Sequence, residues 1–204
     1  MSEMNLTVVG DSCAEGRGGT VRADGSFAGF VVQIAEVLGI SGGTLNLGSF
    51  GATTQDVVDR QLPRALANPA PLTGVIVGGN DLVTSYDRAR FQRNLRHIHT
   101  SLASPGRLVF TTNWPDIPDK LPGLEESFRA VLRARFAEAN DFLDTLVDEF
   151  DLVCLDLVNA PICADPVMWC ADGMHPSPAG HRLIGTALAD LIDEVRAERV
   201  TQPR

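Results

Sequence analysis

The sequence predicts an α/β fold, in which a five-stranded parallel sheet lies between two layers of helices. Short apolar runs alternate five times with longer segments whose apolar residues recur at helical spacing. Each run ends at a glycine or a polar residue, as strands do at the edge of a sheet. The chain has 204 residues, of which 44% are hydrophobic and 21% charged, and this is enough to bury one sizeable core. Residues 1–204 are therefore expected to form a single domain.

Five apolar runs are interpreted as the strands of the sheet. They are Asn5–Val9, Thr44–Leu47, Leu72–Val77, Arg107–Thr112 and Leu152–Leu155. Because helical segments separate them, the strands are expected to run parallel and to be joined by right-handed crossovers. For five such strands the expected order is 2-1-3-4-5.

The first two helices are predicted from capping residues and apolar spacing. Ser26 is expected to cap a helix that runs through Leu38. Thr53 or Thr54 is expected to cap the next helix, and Pro63 is expected to bend or end it.

Three further helices complete the predicted alternation. Asp87 is expected to cap a helix through Leu102, and Ser177 to start the last helix. Between them, Leu124–Phe150 is predicted to form one long helix. Its buried side is predicted to carry Phe128, Val131, Leu132, Phe136, Phe142, Leu143, Leu146 and Val147.

Charge and apolar content exclude several classes of partner. The formal net charge of −9 argues against nucleic acid, because phosphate binding needs a basic surface. No apolar run is long enough to span a bilayer, so integral membrane association is not expected. No secretory signal precedes the first strand, and the protein is expected to be cytoplasmic. The sequence does not predict an oligomeric state.

The cysteines are interpreted as free thiols. Cys13, Cys154, Cys163 and Cys170 contain no Cys-x-x-Cys pair, which makes a zinc site unexpected. A bridge between Cys163 and Cys170 is sterically possible and is left open as an alternative.

Four short polar segments fall at or near predicted strand ends. They are Gly10-Asp11-Ser12, Gly48-Ser49-Phe50-Gly51, Gly78-Gly79-Asn80-Asp81 and Asp172-Gly173-Met174-His175-Pro176. The carboxyl ends of parallel strands converge on one crevice, where open α/β sheets bind their ligands. Each segment alone is an ordinary turn or cap, but together they supply the groups that acyl transfer needs.

The expected roles follow from these residue types. Ser12 is the candidate nucleophile, His175 the base that takes its proton, and Asp172 the acceptor that orients the imidazole. The backbone amides of Ser12 and Gly51 and the side-chain amide of Asn80 would form a three-donor oxyanion hole.

These residues resemble the conserved blocks of the SGNH hydrolases, also called the GDSL esterase/lipase family. Gly10-Asp11-Ser12 is similar to the first block, Asn46–Thr53 to the second with Gly51 as its glycine, Gly78–Asp81 to the third, and Asp172-x-x-His175-Pro176 to the fifth. The resemblance covers nearly the whole chain. It implies a flavodoxin-like α/β/α sandwich, Ser-His-Asp chemistry, no metal or other cofactor, and small-molecule ester or thioester substrates.

One position departs from the family pattern, because Cys13 stands where the family name has leucine. It is expected to pack behind the strand end as a small apolar residue. Trp114, Trp169 and Met174 are candidates for the wall of the acyl pocket. His181 is expected to pack in the last helix or cap it rather than act as a base.

A glycine-rich loop, Gly16-Arg17-Gly18-Gly19, follows the first strand. It lacks the Gly-x-Gly-x-x-Gly spacing and the lysine of phosphate-binding loops, and is interpreted as a mobile loop beside the site.

The expected function is hydrolysis of esters of small or medium acyl groups through an acyl-enzyme. Two alternatives stay open. One is an acyltransferase or deacylase acting on a sugar or natural product with the same catalytic residues. The other is a non-catalytic binding module on the same fold.

Overall fold

The computed structural model describes residues 5–201, so residues 1–4 and 202–204 of the predicted domain lie outside it. Its strands are β1 (Leu6–Gly10), β2 (Thr20–Val21), β3 (Phe27–Ala28), β4 (Thr44–Asn46), β5 (Leu72–Ile76), β6 (Leu108–Thr112) and β7 (Val153–Leu155). Its α-helices are α1 (Ser12–Glu15), α2 (Phe30–Val37), α3 (Thr54–Asp56), α4 (Leu62–Ala67), α5 (Gly79–Val83), α6 (Arg88–Leu102), α7 (Ile117–Lys120), α8 (Glu126–Phe150) and α9 (Pro178–Thr201). A π-helical segment, Val57–Gln61, joins α3 to α4, and two 3₁₀ turns, Pro161–Ala164 and Pro166–Met168, precede α9.

The main sheet is parallel and has the order β4-β1-β5-β6-β7. The predicted α/β class is confirmed, and the five predicted strands occupy the places expected for them. The chain-order numbers differ from 2-1-3-4-5 because β2 and β3 were not predicted. These two short strands pair with each other in a separate antiparallel hairpin.

The predicted helix from Ser26 to Leu38 is wrong at its start. The Ser26 hydroxyl donates to Asp24 Oδ1 at 2.6 Å, within the turn of the β2–β3 hairpin, instead of capping a helix. Phe27 continues into strand β3, and Gly29 precedes the first residue of α2. Local side-chain bonding in the hairpin turn therefore delays the helix.

The helix after β4 continues past Pro63 instead of ending there. Thr53 caps it, and Asp56 completes a capping box with the Thr53 backbone amide. The helix widens at Val57–Gln61, where the Leu62 amide donates to the carbonyl of Val57, five residues earlier. This wider turn changes the bonding pattern next to Pro63, which has no N–H to donate, and the chain continues as α4.

The core lies on both faces of the sheet. Along β1, Leu6 and Val8 pack in the cluster that includes α2 and α9, whereas Val9 packs in the cluster that includes α6 and α8. On α8 the buried stripe starts at Leu132. Phe128 and Val131, predicted to be buried, lie in the turns before this stripe and are 40% and 45% exposed.

Two further features of the described residues bear on the sequence expectations. All four cysteines are free thiols, so Cys163 and Cys170 are not bridged. Within residues 5–201, no helix is long and apolar enough to cross a membrane.

Candidate active site

The nucleophile candidate lies where strand β1 meets the first short helix. Ser12 is the first residue of α1, directly after β1, and only 3% of its surface is exposed. The Asp11 carboxylate caps this helix by accepting the Cys13 amide at 2.9 Å. Gly16 ends the helix at a positive φ of 98°, which turns the chain back over the site.

Ser12, His175 and Asp172 form one chain of hydrogen bonds. The Ser12 Oγ lies 2.7 Å from His175 Nε2, and His175 Nδ1 lies 2.7 Å from Asp172 Oδ2. A carboxylate only accepts hydrogen bonds, so Nδ1 carries the imidazole proton and Nε2 is left to accept from the Ser12 hydroxyl. This is the tautomer that a general base needs.

The ionisation of Asp172 agrees with this assignment. Burial would raise the pKa of its carboxyl, but hydrogen bonds from the backbone and side chain of His175 and from the Met174 amide outweigh burial and lower the pKa. Asp172 is therefore a carboxylate at neutral pH and stabilises the imidazolium that forms when His175 takes a proton.

A tight turn brings His175 to its place. Asp172 Oδ1 accepts the backbone amides of Met174 and His175 at 2.9 and 3.0 Å. Gly173 has a φ of 69°, and a Cβ on it would lie 2.1 Å from the Lys120 carbonyl oxygen. Because Lys120, the last residue of α7, lies so close to Gly173, only glycine fits at this position.

The three predicted oxyanion donors lie on the segments after β1, β4 and β5. Asn80 Nδ2 donates one hydrogen to the Ala52 carbonyl at 2.9 Å, and its second amide hydrogen is available to a ligand. Within residues 5–201, the backbone amides of Ser12 and Gly51 donate to no protein acceptor. Gly51 has a φ of 74°, a conformation that glycine adopts without strain.

A buried polar network ties the Asn80 segment to the Gly51 segment. Asp81 accepts from the Thr54 amide at 2.8 Å and from its hydroxyl at 2.7 Å. Asn94 on α6 donates to the same hydroxyl at 3.3 Å. Burial raises the pKa of Asp81 despite the Thr54 hydrogen bonds. The network holds two of the three donor segments in register.

Gln61 is a contributor that the sequence interpretation missed. Its Oε1 accepts the Gly10 amide at 2.7 Å, and its Nε2 donates to the Gly10 carbonyl at 2.8 Å. It shares the Gly10 carbonyl with the Ser49 amide, which donates at 3.2 Å, and so completes the pairing of β1 where β4 has already ended, two residues before Ser12. A polar residue four positions after Val57, on the apolar side of a helix, was the available signal.

An apolar cavity of about 80 Å³ opens beside Ser12. The structure places Trp114, Trp169 and Met174 in its wall, together with Asn80. Trp114 packs so closely on the third segment that a Cβ on Gly78, where φ is 126°, would lie 2.6 Å from its ring. The cavity is small compared with sites for drug-sized ligands, which enclose about 300–1,000 Å³.

The residues flanking Ser12 have environments of their own. Cys13 packs against the core cluster that includes Leu6 and Val8 and also lines the cavity, and burial and the nearby Asp11 raise the pKa of its thiol. A protonated thiol is a poor nucleophile, which leaves Ser12 as the better candidate. Burial also raises the pKa of Asp11, to about 7, with a smaller contribution from Asp81.

His181 is buried and engaged at both ring nitrogens. Its Nδ1 accepts the Phe30 amide at 3.1 Å, and its Nε2 donates to the Arg17 carbonyl at 2.8 Å. It packs in the last helix as expected and holds the glycine-rich loop in place.

No group of three or more metal-ligating side chains occurs among residues 5–201.

The fold, with a serine, a histidine and an aspartate joined by hydrogen bonds beside the end of the first strand, defines a class of ester hydrolase. The chain belongs to the GDSL-like lipase/acylhydrolase family, whose model matches residues 8–183 and so spans all four segments. Membership makes it an ester-hydrolysing enzyme with small-molecule ester substrates, so the alternative of a non-catalytic binding module does not hold.

Solved structures share the fold at low sequence identity. A lipase/acylhydrolase from Enterococcus faecalis has a TM-score of 0.70 and 21% identity, covering 93% of this chain and 95% of its own. An acetylxylan esterase from Geobacillus stearothermophilus has a TM-score of 0.69 and 19% identity, covering 94% of both chains. An alpha/beta hydrolase from the Lake Arreo metagenome has a TM-score of 0.70 and 19% identity, covering 92% of this chain and 94% of its own. No curated protein matches the chain.

Proposed function

We propose that the protein is a serine esterase in which Ser12 is the nucleophile. The hydrogen-bond chain from Ser12 through His175 to Asp172 carries this proposal. Ser12 Oγ attacks the ester carbonyl carbon while its proton moves to His175 Nε2, and the imidazolium that results is stabilised by Asp172.

The oxyanion that forms on attack accepts hydrogen bonds from the amides of Ser12 and Gly51 and from Asn80. These donors are positioned before the reaction, so they stabilise charge without reorganising. His175 then donates its proton to the alcohol oxygen as the C–O bond breaks, which leaves an acyl group on Ser12. Water, activated by the same imidazole, adds to the acyl carbonyl and releases the acid and the free serine.

The small cavity favours short acyl groups over long chains. Its volume of about 80 Å³ and its aromatic walls at Trp114 and Trp169 suit a group of a few carbon atoms. Hydrolysis of 4-nitrophenyl esters from acetyl to decanoyl tests this, and we expect kcat/KM to fall beyond the short chains. A rate that peaks at decanoyl would contradict the short-acyl assignment.

The nucleophile assignment is tested by Ser12→Ala. We expect a folded protein that has lost about a million-fold in turnover and no longer reacts with a fluorophosphonate probe. Undiminished labelling of the variant would show that another residue is the nucleophile. Adding a sugar alcohol to the wild-type reaction separates hydrolysis from acyl transfer, because a transferase would form a new ester.

We further propose a cytoplasmic location and a single domain over residues 1–204. The free thiols of all four cysteines support the first, because oxidising compartments favour disulfides. Cell fractionation and a single cooperative unfolding transition are the respective tests.

A further inference from the structure

A second depression adjoins the candidate active site on the outer side of the Gly51 segment. It has a volume of about 360 Å³, and its lining includes Phe50, Gly51, Asp56, Arg60 and Arg64. No residue lines both this depression and the apolar acyl cavity. We refer to it as the arginine groove.

Phe50 connects the arginine groove to the reacting groups. Its ring stacks against the imidazole of His175, with 6.4 Å between the ring centroids, and it is 62% exposed. The alcohol of an ester receives its proton from His175, so it leaves on the side of this imidazole. An alcohol portion longer than a few atoms would therefore pass Phe50 and enter the groove.

The groove is positively charged on a chain whose formal net charge is −9. Arg60 pairs with Asp56 at 3.5 Å, and Arg64, one helical turn later, forms no ion pair within residues 5–201. Asp56 is held at the helix start, because it also accepts from the amide and hydroxyl of Thr53 at 3.0 and 2.7 Å. One cation is therefore left without a carboxylate partner.

A third arginine packs on Phe50, which is part of the lining of the groove. The guanidinium of Arg17 lies 4.0 Å from the centre of the Phe50 ring, as in a cation–π contact. Its Nε forms an ion pair with Glu15 Oε2 at 3.8 Å, which is too long for a hydrogen bond, and has no hydrogen-bond partner among the described residues. The glycine-rich loop that carries Arg17 is pinned to the nucleophile, because the Gly16 and Arg17 amides both donate to the Ser12 carbonyl.

We propose that the arginine groove binds an anionic group, a carboxylate or phosphate, on the alcohol portion of the substrate. The proposal rests on the serine esterase function proposed above and adds the chemical class of the leaving group to it. Guanidinium groups recognise such anions through paired N–H donors. The Phe50 ring supplies an apolar surface for the atoms between the ester and the anion.

The test uses acetate esters of ω-hydroxycarboxylic acids of increasing chain length, each compared with its neutral amide. For wild-type protein we expect the acid to exceed the amide about tenfold in kcat/KM at one preferred length. Arg64→Gln should bring this ratio close to one by lowering kcat/KM for the acid much more than for the amide. Because the contact is solvent-exposed, added salt should also reduce the ratio.

Two matched variants serve as controls. Arg93→Gln removes the same charge from the exposed surface of α6, outside the lining of the arginine groove, and should keep the wild-type ratio. Phe50→Leu should slow the acid and the amide together. An acid-to-amide ratio near one at every length in wild-type protein would overturn the proposal.

Binding to Ser12→Ala separates this proposal from the proposed function. Calorimetry of this variant should show a lower Kd for the acid ester than for the amide. Combining Arg64→Gln with Ser12→Ala should remove the difference. If wild-type protein hydrolyses neither ester but this difference is present, the esterase proposal fails and the groove assignment stands. If Ser12→Ala binds both esters with equal Kd values and wild-type protein hydrolyses both rapidly, the groove assignment fails and the esterase proposal stands.

Discussion

The side chain of Gln61 binds both backbone groups of Gly10, at 2.7 and 2.8 Å, and so completes the pairing of β1 beside the segment that carries Ser12. On the other side of Gly10, the Asp11 amide donates to the Ile76 carbonyl at 2.9 Å. A Cβ on Gly10 would lie 2.1 Å from that carbonyl oxygen, so the chain is fixed closely on both sides. The position of Ser12 therefore depends on a helix that is remote in sequence.

Gln61→Leu should lower both stability and turnover. It leaves the Gly10 N–H buried without a partner, at a cost of about 1–3 kcal/mol, whereas the Gly10 carbonyl keeps the Ser49 amide at 3.2 Å. Displacement of the nucleophile by even 1 Å can cost about 100-fold in kcat. We expect kcat to fall with little change in KM, measured on the fraction of sites that a fluorophosphonate titrates.

Gln61→Glu is the matched comparison, because a protonated carboxyl accepts from the Gly10 N–H and donates to its C=O. It should be closest to wild type at low pH, where the buried carboxyl is neutral, and lose relative activity as pH rises. If Gln61 only stabilises the fold, both variants would lower Tm while their titrated sites turn over normally.

The alternation of strands and helices made the fold predictable, because the spacing of apolar residues indicates which side of each element is buried. That the four candidate segments lie together was predictable because parallel strand ends meet at one edge of the sheet. The role of Gln61 was not, because it depends on a π-helical turn that periodicity does not encode. The Ser26 cap failed for a similar reason, since a serine next to Asp24 has a competing local partner.

Asp172→Asn should reduce kcat by about 10,000-fold while the protein stays folded. The amide can still accept the Met174 and His175 backbone amides, so the turn persists. However, its NH₂ group would face His175 Nδ1 and favour the tautomer that carries the proton on Nε2. That imidazole cannot take the Ser12 proton.

Asp165→Asn provides the control for this substitution. Asp165 makes the same kind of turn by accepting the Val167 amide at 2.9 Å, with no histidine on the other oxygen. The kcat of Asp165→Asn should therefore match that of wild-type protein. A loss of similar size in both variants would show that the effect comes from the turns and not from the tautomer.

His99 should make the protein less stable as pH falls. It is completely buried, neither ring nitrogen has a partner within residues 5–201, and burial lowers its pKa from 6.5 to about 4. Between these values the unfolded chain binds a proton that the folded chain does not, so the free energy of unfolding decreases with acidification. The loss amounts to about 3 kcal/mol once the pH is below 4.

Urea unfolding of wild type and His99→Leu between pH 7 and pH 4 measures this contribution. The difference in unfolding free energy between the two proteins should grow in favour of the variant as pH falls. Subtracting the two curves removes the contribution of other groups, such as Asp11, whose raised pKa acts in the opposite direction. Parallel curves would exclude His99 as the source.

Asn80 offers the most specific test of the site, because its proposed contribution arises in the transition state. One of its amide hydrogens binds the Ala52 carbonyl at 2.9 Å, which leaves the other for the proposed bond to the oxyanion. The carbonyl oxygen of the ester becomes an oxyanion only after Ser12 attacks, so binding of the substrate in its ground state should depend little on Asn80. We expect Asn80→Ala to lower kcat by about 100- to 1,000-fold and to leave KM almost unchanged.

The alternative is that Asn80 only fastens the third segment to the second. Asn68→Ala is the control for that role, because Asn68 Nδ2 makes a similar bond, 2.9 Å long, to the Arg64 carbonyl, and Asn68 does not line the acyl cavity. If Asn80 acts only through its hydrogen bond to Ala52, Asn80→Ala and Asn68→Ala should lower Tm by similar amounts and retain normal turnover per titrated site. If Asn80 binds the oxyanion, only its own variant loses kcat, and the loss exceeds what its change in Tm explains. Normal turnover in Asn80→Ala would reduce the oxyanion hole to the amides of Ser12 and Gly51.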